Sequence, residues 1–226
     1  MLYYRGVIPG RFLERPNRFI ARVETEEGIQ TVHVKNTGRC RELLIPGAKV
    51  YLEKASNPAR KTPYDLIAVE KGDLLINMDA QAPNKVFAEW AAGNFLPDIT
   101  AIHSEYVYGD SRLDFCLETN KGLHLVEVKG VTLEENGRAR FPDAPTERGV
   151  KHIQELQKAV ESGLNATLFF VVQMKDIDSV SPNDDTHPAF GAALREAVSH
   201  GVRVCAYDCE VTPDSLFIRR PVPVIL

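Results

Sequence analysis

The sequence predicts a chain of mixed α+β or α/β class in two parts: a five-stranded β-barrel over residues 1–80 and an αβββαβ domain over 81–226. Three observations predict it. Short alternating or apolar segments separated by Gly, Pro and Asn fill the first third, the pattern of small-barrel strands. Beyond residue 80 the apolar spacing turns helical in segments that bracket strands. The charge divides too: residues 1–62 carry 12 Lys and Arg against 6 acids, the remaining 164 carry 15 against 25, and the whole chain sums to −4. At 226 residues and 44% apolar, the chain has enough material for two small cores.

In order, RGVIPGRFLER, NRFIARVET, GIQTVHVKN, AKVYLEKA and YDLIAVEK read as strands, with TGRCRELLI as one short helix between the third and fourth. That order matches the OB fold, which other proteins use for single-stranded nucleic acid. NMDAQAPN, at 77–84, breaks the pattern and marks the boundary. Residues 84–95 read as a helix after Pro83, with Val86, Phe87 and Trp90 on the buried stripe and Glu89 at its edge. AIHSEYVY, 101–108, is a strand leading through Gly109 and Asp110 into a hairpin over 111–130. Residues 130–145 form a long connection, and such loops are often functional. A helix follows from Thr146 to Ser162, with Val150, Ile153, Leu156 and Val160 at helical spacing and Gly163 just past its end. ATLFFVVQM, 166–174, is a buried strand, and the tail from Pro188 reads as helix, strand, strand, extending the sheet. SPNDDTHP, with Asp184, Asp185 and His187, is turn chemistry rather than a metal cluster.

The hairpin SRLDFCLETNKGLHLVEVKG carries the chemistry. Side chains two apart on a strand share a face, so Glu127 and Lys129 point the same way. With Lys121 and Gly122 at the tip, Asp114 falls opposite Lys129 and Cys116 opposite Glu127, which puts the three charged groups on one face. Leu113, Phe115, Leu117, Val126 and Val128 take the other. A G1 bulge at the turn would change that parity. Two carboxylates, with the Val128 main-chain carbonyl as a further ligand, suit Mg²⁺ or Mn²⁺, which keep waters and add substrate phosphate. Lys129 is placed to position an attacking water or stabilise charge on a phosphoryl oxygen. Glu-x-Lys alone also describes a surface ion pair. The apolar setting of Val-Glu-Val-Lys favours a site, because an unpaired charge there would be costly to bury.

Arg5, Arg11, Arg15, Arg18, Arg22, Arg39 and Arg41 lie near Tyr4, Phe12 and Phe19, a mixture suited to phosphate contacts and base stacking. The other reading makes the aromatics core and the arginines solubilising surface. Arg112 and, in the long loop, Arg138 and Arg140 extend the basic set, and Arg148 opens a helix whose N-terminus favours anions. Cys40, Cys116, Cys205 and Cys209 are irregularly spaced, as free thiols in a reducing compartment would be. No run approaches the ~20 apolar residues that cross a bilayer, and the first residues lack the apolar middle of a signal peptide. A cytoplasmic protein with no membrane partner and no small-molecule cofactor is expected. Oligomeric state stays open, a dimer included.

NTGRCRELLIPG at 36–47, SRLDF at 111–115, LVEVKGVTL at 125–133 and FPDAPTERGVKHIQEL at 141–156 resemble the sugar fermentation stimulation protein (SfsA) family, and the C-terminal part resembles the PD-(D/E)xK nuclease core. The leading proline of that motif is absent, Leu113 preceding Asp114. The resemblance implies that Glu89, Asp114, Glu127 and Lys129 occupy the catalytic and metal positions, and that Arg148, Lys151 and His152 face the cleft. It also implies DNA as partner. Two functions then stand open: a Mg²⁺-dependent DNA nuclease, and a non-cleaving DNA-binding regulator of sugar (maltose) metabolism genes. An OB-type protein-interaction module, with no use for a metal, is the third.

Overall fold

The computed structural model describes residues 2–36, 38–57 and 59–226. The first third forms β1 (Leu2–Tyr3), β2 (Val7–Asn17), β3 (Ile20–Thr25), β4 (Gly28–Val34), β5 (Lys49–Lys54), β6 (Tyr64–Lys71) and β7 (Leu74–Asn77). Strand order is β4-β3-β2-β5-β6-β7, and β4 also pairs with β6, so five strands close into a barrel. Closure removes exposed strand edges. Phe12, Val23, Val32, Val50, Leu52 and Leu66 fill its interior.

Two expectations change here. The short helix after the third strand does not form; residues 41–44 are only turns, and Cys40 sits at a φ of 45°. Arg15 Nη1 donates to the carbonyls of Gly38 and Arg39, both at 3.0 Å, so a side chain takes acceptors at the start of that segment. A stretch this short, closed by Pro46 and Gly47, cannot offset the cost of nucleating a helix. Thr37, the first residue of the expected helix, lies outside the described residues. β1 leaves the barrel altogether: Leu2 and Tyr3 pair with Leu216 and Ser215 at the edge of the second sheet.

The second part contains α1 (Ala82–Asn94), β8 (Ile99–Tyr108), β9 (Ser111–Thr119), β10 (Gly122–Val131), β11 (Leu133–Glu135), β12 (Arg138–Phe141), α2 (Glu147–Glu161), β13 (Asn165–Val172), β14 (Ser179–Pro182), α3 (Pro188–Ser199), β15 (Arg203–Thr212) and β16 (Ser215–Val222). Its sheet runs β1-β16-β15-β13-β10-β9-β8, with β10, β13 and β15 parallel. Helix α1 covers one face, where Val86, Phe87 and Ala91 meet Phe115, Leu117, Val126 and Phe169. On the other face α2 and α3 bring Ile153, Leu156 and Phe190 against Cys116, Leu125 and Phe170. This is the expected αβββαβ core, with both faces of its parallel strands covered, as such sheets require.

Residues 130–145 are not an open loop. β11 and β12 form a hairpin through Asn136 and Gly137, at φ 53° and 82°, and β12 pairs in parallel with β14 in a separate three-stranded sheet. Barrel and second domain meet along a buried polar seam. The Gln173 side-chain amide donates to the Asn77 carbonyl at 3.1 Å, to Asn77 Oδ1 at 2.9 Å and to the Asp79 carbonyl at 3.1 Å, while Asn77 N–H donates to the Gln173 carbonyl at 2.9 Å. Cys40, Cys116, Cys205 and Cys209 are free thiols. No helix among the described residues is long and apolar enough to cross a membrane.

Candidate metal centre

The β9–β10 turn has Asn120 and Lys121 at its tip, not Lys121 and Gly122; Thr119 pairs with Gly122, whose φ is 107°. Cys116 therefore sits opposite Leu125 rather than Glu127. Glu127 and Lys129 stay together, but the regular pairing stops before Asp114, which approaches Glu127 instead of Lys129 and is held from the α1 side by Asn84 while His152 of α2 holds Glu127; the three groups converge without the single shared face expected of them. Leu113 also departs from expectation, packing with the core on the α2 side rather than with Phe115.

The paired ladder ends at Phe115 and Val126. Beyond it the carboxylates replace main-chain partners: Val128 N–H donates to Asp114 Oδ2 at 2.8 Å, and Asp114 N–H donates to Glu127 Oε2 at 3.3 Å. In an extended strand a residue's N–H and C=O point to the same neighbour, so the Val128 carbonyl is directed to the Asp114 side as well. From α1, Asn84 Nδ2 donates to Asp114 Oδ1 at 2.8 Å. Glu127, 2% exposed, receives Lys129 Nζ on Oε1 at 2.5 Å and His152 Nδ1 on the same oxygen. Arg148 Nε lies 3.3 Å from His152 Nε2, which makes that nitrogen the acceptor and Nδ1 the protonated one.

The two carboxylates titrate in opposite directions. Burial and then the neighbouring Glu127 charge raise the pKa of Asp114, partly offset by the Val128 N–H, Lys129 and Asn84. Burial also works against the Glu127 charge, but the hydrogen bond from His152 and the charge and hydrogen bond of Lys129 outweigh it and hold Glu127 below the usual range. An ionised Glu127 beside an Asp114 whose charge is disfavoured by burial and by Glu127 is a pair whose repulsion a cation would relieve. Among the described residues no group of three or more His, Cys, Asp and Glu side chains is gathered so that it could hold a metal ion. Two carboxylates and a directed carbonyl fit a hard ion that keeps its waters, and do not fit structural zinc.

Glu89 is not brought to this pair. It is exposed on α1 and lines a recess with Val86, Trp90, Phe217 and Ile218, against β16. The N-terminal turn of α1, not its middle, lies over the end of β10, where Pro83 crowds Gly130. Asn84 is thus the α1 residue that reaches the site, and sequence reasoning missed it.

The basic residues separate into groups. Arg15 is a brace: besides its two bonds above, Nη2 donates to the carbonyls of Arg18 and Asn36, both at 2.7 Å. Arg11 bonds the Gly47 carbonyl at 3.1 Å, Arg112 pairs with Glu105 at 3.5 Å, and Lys151 Nζ donates to the Asp110 carbonyl at 2.8 Å. Arg140 pairs with Glu135 at 3.1 Å and Asp185 at 2.7 Å. Arg5, Arg18, Arg39, Arg41, Arg138 and Arg148 are exposed. The Arg18 guanidinium stands 4.6 Å from the ring centre of Phe19, which is 43% exposed, whereas Tyr4 and Phe12 are core. A cleft of about 470 Å³ separates the barrel from the second domain, lined by Arg18 and Asn36 on one wall and by Gly130, Arg140, Thr146 and Gln173 on the other. It opens at the carboxyl ends of parallel β10 and β13, the usual ligand position in sheets with parallel strands. Its floor residue Gly130 follows Lys129 in the chain.

Comparison with known proteins agrees with this division. Residues 13–78 match the profile described as the SfsA N-terminal OB domain, and residues 81–215 match the Sugar fermentation stimulation protein RE domain. A sugar fermentation stimulation protein homolog of Desulfitobacterium hafniense (strain Y51) is 55% identical over 94% of this chain and 93% of its own. A homolog from Clostridium beijerinckii is 52% identical over 99% of both. Among solved structures, that of Pyrococcus furiosus SfsA in complex with Ca²⁺ superposes with a TM-score of 0.90 at 30% identity, covering 100% of this chain and 98% of that one.

Proposed function

The chain belongs to the sugar fermentation stimulation protein family, and from that membership and the geometry of the hairpin we propose that it binds DNA and hydrolyses phosphodiester bonds with Mg²⁺ or Mn²⁺. The observation that carries the reading is Asp114 set against Glu127, with Lys129 bonded to Glu127 and followed in the chain by Gly130, which lines a cleft together with Arg18 and Arg140. The related Pyrococcus furiosus protein is described in complex with Ca²⁺, another hard, oxygen-seeking ion, which supports a cation here. Once bound, such an ion would lower the pKa of a water and offset charge on the phosphoryl group.

The chain's own residues do the rest. Arg18, in the cleft lining, and Arg148, exposed two residues beyond Thr146 of that lining, contact phosphates, and Phe19 offers a stacking surface. Lys129, held by Glu127, presents its ammonium where charge builds on the phosphoryl oxygens or where the attacking water is oriented. A DNA partner and four unbridged cysteines fit the cytoplasm.

One observation favours a second reading, DNA binding without cutting as a regulator of sugar-metabolism genes: α1 contributes the amide of Asn84, not a carboxylate. A titration of Mg²⁺ or Mn²⁺ against labelled single- and double-stranded oligonucleotides separates the two. Cleavage by wild type that vanishes in Asp114→Asn, Glu127→Ala and Lys129→Ala, with binding retained, supports the nuclease. Binding with no cleavage at any metal concentration supports the regulator, and equal cleavage by the variants removes this site from the chemistry.

A further inference from the structure

His152 stands in the second turn of α2, 5% exposed, with its Nδ1 on Glu127 Oε1 and its Nε2 accepting from Arg148 Nε at 3.3 Å. Lys129 Nζ occupies the same Oε1 at 2.5 Å. A carboxylate oxygen offers two lone pairs, so these two donors saturate Oε1. Oε2 is turned the other way, accepting a long 3.3 Å bond from the Asp114 main chain. The two oxygens of one carboxylate are thereby made unequal.

We infer that His152 is a positioning residue: by donating Nδ1–H to Oε1 it fixes the Glu127 carboxylate so that Oε2 faces Asp114, where the two acids can share a divalent cation. This rests on the cation reading above. Arg148 sets the tautomer, because its Nε can only donate, so the imidazole must accept at Nε2 and donate from Nδ1. Without the imidazole, Lys129 alone holds Oε1. Its ammonium is a point donor on a flexible stem, and the carboxylate can rotate about its terminal bond.

The test is calorimetric titration of Mn²⁺ alone into wild type, His152→Leu and His152→Asn, with folding checked by circular dichroism. Leucine removes the donor, and Mn²⁺ affinity falls about 10- to 100-fold, the usual effect of losing a partner that orients a ligand. Asparagine places an N–H near the position of Nδ1 and recovers most of that loss. Nitrogen-15 spectra of the wild-type imidazole show the Nδ1–H tautomer, which decides the matter if the leucine variant does not fold. An unchanged Kd in His152→Leu, equal weakening in both variants, or an Nε2–H tautomer overturns the assignment while leaving the cation site standing. Wild type that binds no Mn²⁺ overturns both.

Discussion

Asp114 and Glu127 share one solvent-poor environment, yet only Glu127 has a full set of donors. With its pKa raised, the folded state holds the Asp114 proton more tightly than the unfolded chain does. That contribution to stability is present below the unfolded value, ~3.9, and is lost as pH rises through the higher folded value. At neutral pH without a cation, the ionised side chain is therefore a cost. Asp114→Asn removes it, and Asn84 can turn its amide to match, so the metal-free variant should be more stable by roughly 0.5–2 kcal/mol. Thermal unfolding in EDTA should show the higher Tm. Mn²⁺ should raise the Tm of wild type and not of the variant; a variant less stable in EDTA would contradict the electrostatic account. Asp65 is the opposite case. Burial disfavours its charge, but hydrogen bonds from Arg60, at 2.9 and 2.7 Å, and His33, with the Lys35 charge, bring its pKa down to about 2. Its stabilisation is complete above the unfolded value and lost as pH falls through about 2. Acid titration followed by tyrosine fluorescence or circular dichroism should lose stability between pH ~4 and ~2, and Asp65→Asn should flatten that stretch.

At the scale of elements, Gly130 sets how closely α1 lies on β10. A Cβ there would meet Pro83 Cγ at 2.6 Å and collide with Gln173 Oε1, whose side chain is held in the interdomain seam and cannot swing aside. Gly130→Ala should cost about 1–3 kcal/mol, read from denaturant midpoints. By lifting the helix it should also withdraw Asn84 from Asp114 and weaken Mn²⁺ binding; unchanged affinity would uncouple the two. Contacts of this kind explain what was legible in the sequence. Strand alternation gave the shared side of Glu127 and Lys129, because a period of two survives the displacement of the turn, but not the place of Asp114, where the regular pairing with β10 has ended. The partner across the ladder did not survive it, since Gly122 lies outside the turn tip at positive φ. The hairpin of β11 and β12 was legible and missed: Asn136-Gly137 is a strong hairpin signal, obscured by strands of only 3 and 4 residues. Helical spacing likewise placed Glu89 at the edge of α1's buried stripe without saying where along the sheet α1 crosses. That position follows from Gly130 and Pro83, distant in sequence.

For the whole molecule, the charge split between the N-terminal third and the rest was visible in composition, but which arginines would face the proposed nucleic acid depends on the cleft between domains, which no local pattern describes. Arg15 shows why: within an arginine-rich stretch it looks like its neighbours, yet its guanidinium holds four main-chain carbonyls. DNA affinity should fall steeply with salt, because each neutralised phosphate releases counterions. Arg18→Ala on the barrel and Arg148→Ala on α2 should each lower the slope of log K against log salt by about 1. Arg15→Ala should leave that slope unchanged while costing roughly 1–3 kcal/mol of stability through carbonyls left without a donor. Fluorescence anisotropy with a labelled oligonucleotide over a salt series, paired with denaturant unfolding of the same three variants, measures both quantities. A slope that falls for Arg15→Ala and stays fixed for Arg18→Ala and Arg148→Ala would place the strand elsewhere on the barrel. A slope reduced by Arg18→Ala alone would confine the contact to the N-terminal domain and leave the start of α2 without a part in binding.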